Sequence, residues 1–242
     1  EAMTGAKWLA WLALLALAAA AAWLAVHRIY QVDEAQNLTM IRVLASGQSA
    51  QYFTNALLWM LGPMSWLVGA QDRAEHIFTW SRLLFLGVFF LNIYLIALNT
   101  GARLRSLGGA AALLGAATLA PLWDFGFEIR HDNLILTGLL LMWWLGRVAP
   151  RGVRSYLGLG FVSVIMPCLS LKAILYVAPL SLTLLALPPP GHARPYFTLL
   201  RAWLIGAAGA AALVALAYAW SGAWPVFLAG LQSGAASGAA AV

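Results

Sequence analysis

Charge is scarce in this chain. Only 9% of its 242 residues are Asp, Glu, Lys or Arg, against about 25% in soluble domains. So few charges cannot cover a water-facing surface, which excludes a soluble globular enzyme. The 63% hydrophobic content excludes a disordered chain. Cysteine is nearly missing: Cys168 stands alone, so no internal disulfide framework and no cysteine-based metal knuckle can form. Histidine is also sparse, and His76 and His131 are too dispersed to make a zinc site. Acidic residues number 8 against 14 basic ones, a net charge of +6. The basic residues stand scattered beside apolar runs, so they read as membrane-topology signals and not as a nucleic-acid surface.

What the chain does have is long apolar runs, with a mean hydropathy of +0.83. A bilayer core about 30 Å thick needs about 20 apolar residues at about 1.5 Å each. Trp8 to Val26 is such a run, followed by His27-Arg28 and not by a small-residue cleavage site, so it reads as a retained first span. Ser81–Leu98, Gly109–Leu122 and Asn133–Gly146 follow. Tyr156–Leu187 is too long for one crossing and holds Pro167, Lys172 and Pro179, so it splits near Ser170-Leu171-Lys172. Leu199–Trp220 completes seven predicted spans in a module over residues 1–220. Residues 221–242 form a Gly/Ala/Ser-rich tail, read as weakly structured or as the start of a further region. The predicted fold class is an all-α polytopic membrane protein.

Seven spans place Lys7, Arg103, Arg105, Arg147, Arg151, Arg154 and Arg194 on one side, the cytoplasmic one. Asp33, Glu34, Asp72, Glu75, Asp124, Glu128 and Asp132 then all face the opposite side. That segregation reflects either a solvated face or an acidic reaction centre.

Two outer loops carry these acids. The first, residues 27–79, shows apolar positions 38, 41, 44 and 45 after Asp33-Glu34, which is helical spacing. Asp33 and Glu34 stand where carboxylates cap free N–H groups and favour the positive dipole end. A second in-plane helix is predicted over Tyr52–Leu61, ended by Gly62-Pro63. The second loop, residues 123–132, gathers Asp124, Glu128, Arg130, His131 and Asp132 between two short spans. Ionisable groups at such depth are costly and usually functional. Arg130 beside Asp132 is either a structural ion pair, a phosphate ligand or part of a cation site. Asp124, Glu128 and Asp132 are four apart, so a continuous helix would align them. Lys172 either snorkels to water or stands as a fixed cation beside a cavity.

This order of features resembles the GT-C superfamily of polytopic membrane glycosyltransferases, such as protein O-mannosyltransferases and lipid A aminoarabinose transferases. The likeness covers roughly residues 8–187 and rests on the combination of short motifs. These are Asp33-Glu34 after the first span, Tyr52-Phe53 before an apolar segment, Arg130-His131-Asp132 at the fourth span, and Lys172 in the next outer turn. The family often shows Arg-Pro-Asp where this chain has Arg130-His131-Asp132.

The resemblance implies inverting transfer of a sugar from a polyprenyl-phosphate donor to a lipid, glycan or protein acceptor. The site would face the periplasm at a bacterial inner membrane. It makes Asp33 the general base, with Glu34 beside it. Tyr52, Glu128, Arg130, His131, Asp132 and Lys172 would bind substrate, with Arg130 and Lys172 on the donor phosphate. A divalent metal (Mg, Mn or Zn) held by Asp33 and Asp132 is a further expectation, and a partner subunit another. The alternatives are a transporter or flippase for a lipid-linked or anionic solute, and a non-catalytic subunit of the same fold. The last is favoured by Thr54-Asn55-Ala56-Leu57, where some members carry Lys-Pro-Pro.

Overall fold

The computed structural model describes residues 2–29, 31–45, 73–101, 103, 106–119, 122–123, 126–148, 152–186, 196–220, 224–225 and 228. Among them all regular structure is helical, with no strand. Three helices are long and apolar enough to cross a bilayer: α1 (Ala2–His27, crossing over Lys7–His27), α3 (Ala74–Asn99, over Glu75–Asn99) and α8 (Tyr196–Trp220). They make the chain an all-α membrane protein. Between them lie α2 (Val32–Ala45), α4 (Leu107–Ala117), α5 (His131–Trp143), α6 (Val153–Leu169) and α7 (Ile174–Ala186).

The outward faces of the long helices are apolar. Trp8, Leu9, Leu12, Leu15 and Trp23 of α1 stand exposed, as do Leu204, Ile205, Leu213 and Leu216 of α8. A helix that is apolar on every side needs protein or hydrocarbon around it.

Several expectations change. Within the third predicted span, Gly109–Leu122, the α-helix runs over Leu107–Ala117, a rise of about 16 Å. Thr118 ends it, returning its hydroxyl to Gly115 O at 2.9 Å; Pro121 follows in the sequence and disfavours helix before it. The fourth runs longer than predicted, because a π-helical turn, Trp144–Val148, extends α5. The predicted break of Tyr156–Leu187 falls at Ser170, which is extended between α6 and a 3-10 turn, Leu171–Ala173. Within the second acidic loop, Gly126 to Arg130 is turn, bend and extended chain, and α5 starts at His131. Glu128 and Asp132 therefore share no helical face. Asp124 and the predicted helix over Tyr52–Leu61 lie outside the described residues.

The chain divides into two compact units. The first holds residues 1–37 and 71–144. Its core joins Ala21 and Ala25 of α1, Leu86, Phe89 and Ile93 of α3, and Ala116 and Ala117 of α4, with Leu122 and Phe127 beyond. Phe89 meets Trp123 and Phe127 edge to face, at 5.7 and 6.0 Å between ring centres. The second unit holds residues 38–70 and 145–242, with α6, α7 and α8. There α6 and α8 touch backbone to backbone: a Cβ on Gly160 would overlap the Trp203 carbonyl, and one on Gly206 the Leu157 carbonyl. Small residues permit this approach in membranes.

Candidate functional site

The site grows from a buried ion pair. Arg82, in the third turn of α3 and inside its apolar stretch, is fully buried. It grips Glu34 with both arms, Nε to Oε1 at 2.8 Å and Nη2 to Oε2 at 2.5 Å. Its remaining donors go to the end of α1: Nη1 to Arg28 O at 2.6 Å and Ala25 O at 3.4 Å, and Nη2 to Ile29 O at 3.1 Å. A helix C-terminus leaves carbonyls unmatched and carries negative partial charge, so a guanidinium fits there twice over.

Glu34 also starts α2. Its Oε2 accepts the Gln31 N–H at 2.9 Å, the reach-back of a capping box. The capping carboxylate is thus Glu34, while Asp33 in the same first turn points to solvent, its side chain 58% exposed. This corrects the expectation that Asp33 caps the helix.

The same face of α2 then clasps the second acidic loop. Glu34 Oε1 accepts the Ile129 N–H at 3.2 Å, and Asn37 Nδ2 donates to Ile129 O at 2.7 Å. Residues three apart share a helix face, so the N–H and C=O of one residue, Ile129, are both held by α2. From the other direction α3 fixes the start of α5: Asn92 Nδ2 donates to Asn133 O at 3.2 Å, and Thr137 Oγ1 to Asn92 Oδ1 at 2.7 Å. Asn133 Nδ2 donates to Glu128 O at 2.9 Å.

These clamps bring distant acids together at Arg130. Its Nη2 lies 3.5 Å from Asp33 Oδ2 and 3.4 Å from Asp132 Oδ2, and its Nη1 3.7 Å from Glu128 Oε2. His131 Nε2 stands 3.5 Å from Asp132 Oδ1. Arg28 completes the group, with Nη2 3.9 Å from Glu128 Oε1, Nη1 donating to Trp123 O at 3.2 Å, and its guanidinium 5.9 Å from the centre of the Phe127 ring.

Glu128 is the anomaly. Its side chain is wholly buried, and neither carboxylate oxygen has a hydrogen bond. Burial and the nearby Glu34 carboxylate hold its carboxyl above the usual range, against the pull of Arg28, Arg130 and Arg82.

Of the residues singled out from sequence, Asp33, Glu34, Glu128, Arg130, His131 and Asp132 meet in the first unit. Lys172 belongs to the second unit, exposed in its 3-10 turn. Tyr52 lies outside the described residues. Sequence reasoning missed Arg82, Arg28 and Asn37. Arg82 did carry a signal, since it stands inside an apolar helix where a charge marks a partner.

The Asp33 and Asp132 carboxylates lean on one guanidinium, which supplies the positive charge at that point. Among the described residues no group of three or more His, Cys, Asp or Glu is disposed to hold an ion.

Beside the site, α1, α3 and α4 enclose an apolar groove of about 250 Å³. Trp11, Leu15, Phe90, Ile93, Leu113 and Trp123 are among its walls. Comparison with family models, with curated proteins and with solved structures finds no match to this chain.

Proposed function

We propose that the chain is a membrane glycosyltransferase of GT-C type, moving a sugar from a polyprenyl-phosphate donor to a hydroxyl acceptor at the outer face of a bacterial inner membrane. The observation that carries this reading is the meeting of Asp33 and Asp132, from separate loops, on the Arg130 guanidinium at the helix ends. Asp33 is the exposed carboxylate and serves as general base for the acceptor hydroxyl, which needs a carboxylate within hydrogen-bond reach. Arg130 faces the leaving phosphate, whose charge needs fixed cations more than a proton donor. Glu34, with both oxygens engaged, positions Asp33 and does not act on substrate. The groove walls suit a lipid chain. Lys172 as a second phosphate ligand rests on the resemblance, and seven crossings for the whole module rest on the apolar runs of the sequence.

The decisive experiment is sugar transfer by Asp33→Asn in folded, membrane-inserted protein. Turnover should fall by about 10²–10⁴, the usual contribution of a general base. Undiminished turnover would remove Asp33 from the chemistry.

One observation favours a second reading, transport of an anionic solute. The dry carboxyl of Glu128 between two arginines is the kind of group that proton relays use. Movement of labelled solute across vesicles with no covalent product would favour transport over transfer.

A further inference from the structure

Three carboxylates compete for the Arg130 guanidinium. Its Nη2 lies 3.5 Å from Asp33 and 3.4 Å from Asp132, and its Nη1 lies 3.7 Å from Glu128. A charge-assisted hydrogen bond is shorter, about 2.7–2.9 Å, so travel of about 1 Å decides which acid the guanidinium favours. The competitors differ in kind. Asp33 and Asp132 are at least half exposed, whereas Glu128 sees no solvent and neither of its oxygens accepts a hydrogen bond.

A buried carboxylate without donors carries the most costly charge in such a group, so its neutral form loses least there. The charges facing Glu128 come from every side: Glu34 from α2, Arg82 from α3, Arg28 from the end of α1 and Arg130 from its own segment. Glu34 is no substitute for it, because its oxygens accept four hydrogen bonds, from Arg82 Nε and Nη2 and from the Gln31 and Ile129 main chain. The backbone around Glu128 is clamped as well. Asn133 Nδ2 holds the Glu128 carbonyl, and α2 holds both main-chain groups of Ile129. A change of charge on Glu128 is therefore answered by side chains, above all by the guanidinium it shares with Asp33 and Asp132.

We propose that Glu128 is a positioning residue for Asp33: by binding or releasing one proton it sets how far the Arg130 guanidinium is drawn away from the exposed carboxylates. The proton comes from solvent and returns to it, carboxylate becoming carboxylic acid, and no other covalent bond changes. Ionised, Glu128 pulls the guanidinium inward and leaves Asp33 with less counter-charge, which makes Asp33 the stronger base. Neutral, it yields the guanidinium to Asp33 and Asp132, which then form a tighter ion pair and a weaker base. The transferase reading enters only in what the base acts on, and the coupling of charges stands without it.

The test is a carbon-13 NMR titration of the full chain in lipid nanodiscs, with the glutamate carboxyl carbons labelled. The chain has only four glutamates, and the signal missing from Glu128→Gln assigns the one that matters. Glu128 should titrate above the usual glutamate range. Asp33→Asn and Asp132→Asn should each lower its midpoint by about 0.5–1 pH unit, since each removes a competitor for Arg130. Arg130→Gln should raise the midpoint by about 1–3 pH units. In that background the effect of Asp33→Asn should vanish, because the two acids are coupled through the guanidinium. His131 stands 3.5 Å from Asp132, and histidine changes charge near neutrality. The same shifts should therefore be found in His131→Asn.

A Glu128 midpoint inside the usual range, or one that Asp33→Asn does not lower, would overturn the proposal. So would an Asp33→Asn shift of equal size with and without Arg130, which would mean direct repulsion between the acids. If Arg130→Gln does not fold, the two aspartate variants decide, since both altered side chains are at least half exposed. Coupled midpoints in a chain that transfers no sugar would leave this proposal standing and remove the transferase. Transfer abolished by Asp33→Asn alongside uncoupled midpoints would do the reverse.

Discussion

Glu34 and Glu128 are both wholly buried in the same unit, yet the chain treats them oppositely. Glu34 receives two arms of Arg82 and two main-chain N–H groups. Glu128 receives no hydrogen bond, only two arginines held beyond bonding distance. A buried charge costs several kcal/mol unless hydrogen bonds and a counter-charge offset it. The first glutamate therefore belongs to the scaffold. The second, left under-satisfied, is available for a change of state. Burial alone does not separate a structural carboxylate from a functional one; the donors around it do.

The sharpest way to break the contrast is to remove one partner of the satisfied pair. Glu34→Gln or Arg82→Leu should cost about 3–5 kcal/mol, because the other charge stays buried. Thermal unfolding in detergent would read this as a large fall in Tm. Glu34→Leu with Arg82→Met should recover only part of it, since the Ala25, Arg28 and Ile29 carbonyls and the Gln31 and Ile129 N–H groups lose their partners.

The second unit offers a contrast in kind, because its helices meet through glycine and not through charge. Gly160→Ala should destabilise by about 1–3 kcal/mol through overpacking against Trp203. Gly87→Ala in α3, where a Cβ meets nothing within 4 Å, should be neutral or stabilising by up to about 1 kcal/mol. Paired thermal scans would show both.

Glu128→Gln should have the smallest effect on stability, and its sign depends on pH. The folded carboxyl titrates above its unfolded value, so the folded state keeps a proton that the unfolded state has released. Stability from this group is present at low pH and lost as pH rises through the folded pKa. Wild type should therefore fall below Glu128→Gln in Tm toward neutral and alkaline pH, and the gap should close in acid. A gap that widens in acid would reverse the assignment.

Much of the fold was legible in composition and periodicity. The runs around Trp8–Val26, Ser81–Leu98 and Leu199–Trp220 are helices of spanning length, and the break at Ser170 falls where Pro167 and Lys172 pointed. Helix lengths were less legible, because apolar composition does not record where Thr118 turns a chain back on itself. For the site, the acids in the two loops were visible as a charge anomaly in an oily chain. Their division of labour was not. Which of two adjacent acids turns inward depends on helix phase, and that phase is set by Arg82, far away in sequence. Arg28 looked like an ordinary flanking cation, since nothing in its neighbours indicates that Glu128 lies within reach.

The central claim, that Asp33 and Asp132 converge on one guanidinium, is tested most directly by cross-linking in membranes. Asp33→Cys and Asp132→Cys would be introduced together on a Cys168→Ser background and treated with a short bifunctional thiol reagent. Rapid intramolecular bridging within single chains, absent from either cysteine alone, is the predicted result. Two independent adducts on each chain, with no bridge across a range of reagent lengths, would contradict it.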